Sequence, residues 1–409
     1  MKVILTLEYA IYLISLCDIR FEQPFFTQHA LIWRIIGFLF LAQELIGCGL
    51  RFKPDNRKIL LPNIVKYMLF ILVWMVLVFF DSGTELDEYI TLIGFILTIF
   101  LGGLQFARYN AVKEMLVTGF IVPNVMLILN DAVNQINVFE LLRQVNLASF
   151  FSTVYTERIR FSLGFPNPNT LGNLVTCLLC ISFPLISMWK RNKGGKFFYI
   201  IIVALDVFDL VTLIDCGSRT GMACLLICLF LFVFLLTTNG SAENSAARKV
   251  MRSLSLIFII AVVGIFFFDR IIYSYIRGRH GSFELLGLLS GFQYVTGRGV
   301  FSPGDVIFTY SSHLDNYFVY LILTTGIVGL ILYLLLFIKL FRDIRMRGSK
   351  ALTYGILGCF VADMLYGFGE TCVLYPMFPS AAIFMIFFIS YSIAGVEEKY
   401  IDAIGDQEY

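Results

Sequence analysis

The sequence predicts an all-α polytopic membrane protein with about twelve transmembrane helices and two long extracytoplasmic loops. Three observations predict this class. Apolar residues make up 58% of the 409 residues and charged residues only 15%, whereas a soluble domain runs at about 45–50% and about 25%. The apolar residues fall in runs of about twenty, the length that crosses a hydrocarbon core. Lys and Arg gather in alternate connections between those runs, as the positive-inside bias requires.

Taken in order, the first run follows Met1-Lys2 and covers 3–19. It resembles a signal peptide but has no small-x-small cleavage site, so it reads as a retained helix. Further runs lie at 30–50, 60–80, 88–107, 111–130, 169–189, 197–215, 220–238, 252–268, 316–340, 350–369 and 374–395. Basic connections occur at Arg51–Lys58, Lys190–Lys196, Arg248–Arg252 and Lys339–Lys350, with Arg108 and Lys113 flanking a shorter turn. An even number of spans with both termini cytoplasmic puts all of them, and every Lys, on the cytoplasmic side. The acidic stretch 81–88 then falls outside. Connections at 131–168 and 269–315 are much longer than the rest. Loops of that length are uncommon in a compact domain and usually functional. The chain divides accordingly into N-terminal helices (1–130), an external loop (131–168), a helical core (169–340, with the external loop 269–315) and C-terminal helices with a cytoplasmic tail (341–409). Within the first loop, 138–151 is amphipathic and suits the membrane surface.

The cations on the outer side are all Arg: Arg20, Arg34, Arg143, Arg158, Arg160, Arg219, Arg270, Arg277, Arg279 and Arg298. The topological bias disfavours cations there. Arg offers a planar fork to phosphate and keeps its charge when partly buried, so the set points to an anionic ligand.

Four motifs carry the candidate chemistry. Asp215-Cys-Gly-Ser218-Arg219-Thr220-Gly221 ends one span and opens the next, where helix N–H groups favour an anion; the alternative is a tight turn with Arg219 paired to Asp215. Arg277-Gly-Arg279-His280-Gly281 and Gly297-Arg298-Gly299 place Gly-flanked cations in the second long loop, a patch too small for nucleic acid. His313, followed by Asp315 and Asn316, has the makings of a general base with an orienting carboxylate. Gly164-Phe-Pro-Asn167-Pro168-Asn169-Thr170-Leu-Gly172 opens the sixth span, where Asn169 or Thr170 can cap the helix and Asn169 suits a sugar hydroxyl. The nine Cys lie mostly inside apolar runs. Cys177 and Cys180 have CxxC spacing without a second pair, so neither a metal nor a redox centre is expected. Glu44, Asp206, Asp209 and Asp363 fall within spans, where ionisable groups suggest ion or proton pathways.

The motifs around Asn167-Pro168-Asn169, Ser218-Arg219-Thr220-Gly221, the Arg-bearing loop with His313 and Asn316, and Gly326-Ile-Val-Gly329 occur in an order that resembles the O-antigen polymerase and O-antigen ligase superfamily of bacterial polysaccharide assembly. The resemblance spans roughly 155–340. It implies a glycosyltransferase needing neither cofactor nor metal, in the bacterial plasma membrane with an extracytoplasmic active site. It would move a growing capsule-, O-antigen- or exopolysaccharide-type glycan from a polyprenyl-diphosphate carrier to a lipid-linked repeat unit. Partners implied are the lipid-linked oligosaccharide, the lipid bilayer, and a flippase and chain-length regulator of the same pathway. Carried over by motif, Arg219 and Arg279 stabilise the diphosphate, His313 contacts or deprotonates the acceptor hydroxyl, and Arg277, Arg298, Ser218, Asn169, Asp315 and Asn316 bind substrate. The family often has Asn directly after the His and a Trp after the loop Arg; here Leu314 and Asp315 intervene and Phe283 is the nearest aromatic candidate. Alternatives are the ligase, with the same donor, and a transporter of polysaccharide or lipid-linked oligosaccharide that would rely on Asp206, Asp209 or Asp363.

Overall fold

The computed structural model describes residues 1–17, 29–50, 86–135, 137–141, 160–165, 167–189, 195–239, 253, 283–298, 316–346, 350–370 and 378–405. Among the described residues there are helices and no strands. They are α1 (Lys2–Cys17), α2 (His29–Leu50), α3 (Leu86–Arg108), α4 (Val112–Asn134), α5 (Val138–Leu141), α6 (Pro168–Trp189), α7 (Gly195–Asp215), α8 (Arg219–Asn239), α9 (Gln293–Thr296), α10 (Tyr317–Arg345), α11 (Lys350–Gly369) and α12 (Pro379–Gly405). A 3-10 turn at Leu285–Leu288 precedes α9. The expected spans at 60–80 and 252–268 lie outside the described residues, apart from Ser253.

Five of these helices are long and apolar enough to cross a membrane: Val112–Asn134, Pro168–Ser187, Lys196–Asp215, Tyr317–Arg345 and Leu352–Gly369. Their outer faces fit a bilayer. Ile200, Val203, Val207 and Leu210 recur at helical spacing on α7 and are exposed, as are Ile327, Ile331, Leu334 and Ile338 on α10. In water such stripes would be polar; in lipid they are the expected surface.

Polar contacts fix the direction of the helices. The amide of Asn130 on α4 donates to the carbonyl of Cys17 at 3.3 Å, joining the C-terminal ends of α1 and α4. At their other ends Lys2 bonds the carbonyl of Asn110 at 2.8 Å and approaches Glu114 at 3.7 Å. Arg108, closing α3, grips Glu44 of α2 with both nitrogens, at 2.6 and 2.8 Å. Asn173 of α6 and Ser380 of α12 are hydrogen bonded, so those two helices start at the same end. The six Lys of the described residues, at 2, 113, 196, 339, 350 and 399, all fall at one end of the bundle. The start of α6, the α7–α8 turn and the end of α11 meet at the other.

One expected straight span is folded. Within α10, Gly326 has φ +66° and ψ −172°, a non-helical conformation that suits glycine. Tyr317 nevertheless packs edge-on against Tyr333 with ring centroids 5.4 Å apart. Sixteen residues of straight helix would separate them by about 24 Å. The chain therefore reverses at Gly326, and 317–325 lies back against 327–345. The segment 293–298 closes the break. The backbone N–H of Arg298 donates to the carbonyl of Leu323 at 2.7 Å, a group the interrupted helix would otherwise leave unpaired. A Cβ on Gly326 would collide with the carbonyl of Val295.

Candidate functional site

The site grows from the start of α6. Pro168 occupies the first helical position, where its missing N–H costs nothing. The cap therefore falls to Asn167, whose side-chain oxygen accepts the N–H of Asn169 at 2.8 Å. This corrects the expectation that Asn169 or Thr170 caps the helix. Asn169 is displaced into the first turn, and its side chain is released for tertiary contacts.

Those contacts join three distant parts of the chain. The side-chain oxygen of Asn169 accepts a hydrogen bond from a terminal nitrogen of Arg160. Its nitrogen donates to Glu370, just past the end of α11, at 3.0 Å. Arg160 also donates through Nε to the carbonyl of Cys216 at 3.0 Å. The neighbouring N–H, of Phe161, donates to the carbonyl of Asp215 at 3.1 Å. Arg160 thus lies across the α7–α8 turn. It passes directly over Gly217, whose φ of +63° and lack of a side chain leave room: a Cβ there would sit 3.2 Å from Cγ of Arg160.

The turn itself is held by Ser218. Its hydroxyl accepts the N–H of Gly221 at 3.2 Å, an N-cap on α8. It also lies 3.4 Å from the hydroxyl of Tyr366 on α11. Tyr366 in turn donates to the carbonyl of Asn169 at 3.3 Å. Gly172 lets α6 approach this closely, since a Cβ would come within 2.5 Å of the Ser218 side chain. Arg219 opens α8 and is half-buried. The alternative pairing of Arg219 with Asp215 is not formed, because neither carboxylate oxygen of Asp215 has a hydrogen-bond partner among the described residues. Cys216 is buried, and that burial pushes its thiol up to about 12, so it stands as a neutral thiol at physiological pH rather than a nucleophile.

The structure brings Ser218, Arg219 and Asn169 together. Asn316 lies on the same side of the bundle but is occupied locally: its oxygen caps α10, accepting from Phe318 and Val319 at 3.0 and 3.1 Å, and its nitrogen donates to the carbonyl of Phe368 at 3.3 Å. Arg298 is half-buried at the Gly326 break, at the far end of 317–325 from Asn316, about 13 Å away along the helix. Arg277, Arg279, His313 and Asp315 lie outside the described residues. Arg160 belonged to the outer Arg set, but no motif singled it out. Glu370 and Tyr366 had no sequence signal, being about two hundred residues from the α6 start they contact.

Among the described residues no group of three or more His, Cys, Asp or Glu is arranged to hold a metal. The Cys177 thiol meets the carbonyl of Ser380, and the backbone carbonyl of Cys180 accepts from the Cys359 thiol at 3.1 Å. Of the buried acids, Glu44 is explained by its pair with Arg108, whereas both oxygens of Asp209 and one of Asp206 lack a partner among the described residues. No protein-family model matches the chain, and no curated protein matches it either.

What the arrangement can do chemically follows from its donors. A guanidinium carries five N–H groups. Arg160 spends one on the Cys216 carbonyl and one on Asn169. The remainder face no acceptor among the described residues. The turn that Arg160 crosses leads into the helix running from Arg219 to Asn239. Together they favour a phosphate-class anion.

Proposed function

We propose that the chain is a polysaccharide polymerase that transfers a growing glycan from a polyprenyl-diphosphate carrier to a lipid-linked repeat unit. The observation that supports this reading is the guanidinium of Arg160 laid across the α7–α8 turn, with only two of its N–H groups bonded among the described residues. The end of the bundle that holds it is opposite to the Lys-bearing end. The positive-inside rule makes the Lys-bearing end cytoplasmic. The site is then extracytoplasmic, in a bacterial plasma membrane.

In this reaction the acceptor hydroxyl attacks the anomeric carbon of the donor glycan. The bond from that carbon to the diphosphate oxygen breaks, and its electron pair leaves with the diphosphate. Arg160 and Arg219 stabilise the charge that develops there, with Arg279, Arg277 and Arg298 as further cations from the second loop. Fixed donors aimed at a leaving group are the largest single contribution to such catalysis. His313, oriented by Asp315, takes the hydroxyl proton. The resemblance of the ordered motifs to the O-antigen polymerase and ligase superfamily supports the same chemistry. A ligase would use this donor site unchanged and differ in its acceptor.

A transporter is the second reading, favoured by the buried carboxylate of Asp209, whose oxygens meet no hydrogen-bond donor at bonding geometry among the described residues. The test is the surface-glycan profile of a deletion strain complemented with wild type, Arg219→Ala, His313→Ala or Asp209→Asn, with membrane expression matched. The polymerase reading expects single repeat units without long chains for the first two variants and normal chains for the third. Failure of Asp209→Asn alone, with no repeat units reaching the surface, would establish the transporter instead.

A further inference from the structure

Arg160 and Glu370 carry opposite charges and share a partner, yet they do not meet. Asn169 stands between them, its oxygen toward the guanidinium and its nitrogen toward the carboxylate at 3.0 Å. Glu370 is buried at 7% exposure and so is not replaced by water. A direct Arg–carboxylate pair would be bidentate and would occupy the fork that an anion needs. An amide cannot neutralise the guanidinium; it only orients it. Its side-chain amide is held on two sides, by Arg160 and by Glu370, and its backbone carbonyl accepts from Tyr366 at 3.3 Å.

We infer that Asn169 is a neutral spacer that keeps the carboxylate of Glu370 off the fork of Arg160, and that Asn169 and Glu370 together set the strength with which this site holds a phosphate-class anion. The inference rests on the proposed diphosphate-binding role of Arg160. Glu370 does two things in this arrangement. Its charge offsets the cost of half-burying Arg160, and at one amide's remove it repels an anion bound to the same guanidinium, since Coulomb energy falls only as the inverse of distance. A leaving diphosphate is thereby held firmly enough to depart from the sugar and weakly enough to leave the protein. Asn169 and Glu370 are positioning residues; Arg160 touches the anion.

The test is calorimetric titration of inorganic pyrophosphate into the full-length protein in lipid nanodiscs, with the unliganded thermal transition measured for each variant. Wild type binds. Glu370→Gln removes the repulsion and binds several-fold more tightly, a change that loss of a merely structural contact would not produce. In turnover the same variant shows lower KM and lower kcat, because diphosphate release slows. Asn169→Asp places a carboxylate directly on the fork and weakens binding at least tenfold. If Asn169→Asp fails to fold, Glu370→Gln decides alone. Wild-type affinity in Glu370→Gln, or a weaker one, overturns the spacer inference while leaving the polymerase reading intact. Absence of pyrophosphate binding by wild type removes the anion site on which both stand.

Discussion

Arg108 and Arg160 are both half-buried arginines near helix ends, and the chain treats them in opposite ways. Arg108 closes on Glu44 with two short bonds, 2.6 and 2.8 Å, between α3 and α2. Its charge is neutralised by a carboxylate that takes both terminal nitrogens. Arg160 faces a backbone carbonyl and an amide, and the nearest acid in its network, Glu370, stands one side chain away. The first arrangement fastens two helices at the Lys-bearing end of the bundle. The second keeps a cation available at the opposite end. The two arginines differ in what they meet, a carboxylate at Arg108 and a carbonyl and an amide at Arg160.

That contrast can be broken most sharply at the two arginines themselves. Arg160→Ala should lower polymer formation by a hundredfold or more, consistent with about 3–4 kcal/mol for the loss of a preorganised donor to a developing oxyanion, far beyond any activity loss explained by its lowered unfolding transition. Arg108→Ala should do the reverse. It removes the two short bonds that Glu44 accepts from Arg108 and should lower the unfolding transition, with turnover per folded molecule retained.

Backbone geometry offers the next largest effect. Gly326→Ala forces a side chain into the Val295 carbonyl at a positive φ. It should reopen the reversal in α10 and release the 293–298 segment, read as faster hydrogen exchange at 293–298 with little change in α1–α4. The smallest effect is expected at Ser218. Ser218→Ala removes the cap on Gly221 and should cost about 1 kcal/mol, with a several-fold loss of activity as the α8 start loosens. Equal losses from Ser218→Ala and Arg160→Ala would mean that the turn itself, and not the guanidinium, holds the substrate.

The helical membrane class was legible because composition and run length report solvent directly, and the exposed stripes of α7 and α10 agree with it. The reversal in α10 was not legible. Hydropathy sees 316–340 as one apolar run and is blind to a single glycine's φ, although Gly326 had been noted as part of a motif. At the site, Ser218, Arg219 and Asn169 were visible because they cluster at helix starts, where sequence patterns are local. Of the two roles the pattern offers Asn169, the cap goes instead to Asn167 because Pro168 holds the first helical position. Arg160 was visible only as one of several outer arginines. Glu370 and Tyr366 reach the site through packing of α11 on α6 and α8, a tertiary relation that no local spacing encodes.

The most direct test of the account is the initial rate of polyprenyl diphosphate release by the purified protein, reconstituted with lipid-linked repeat units, for wild type, Arg160→Lys and Arg108→Lys. A lysine keeps the charge but not the fork. Arg160→Lys is expected to lose most of the rate, while Arg108→Lys keeps it at a temperature where both are folded. Full activity in Arg160→Lys, or an equal loss in both variants, would contradict it.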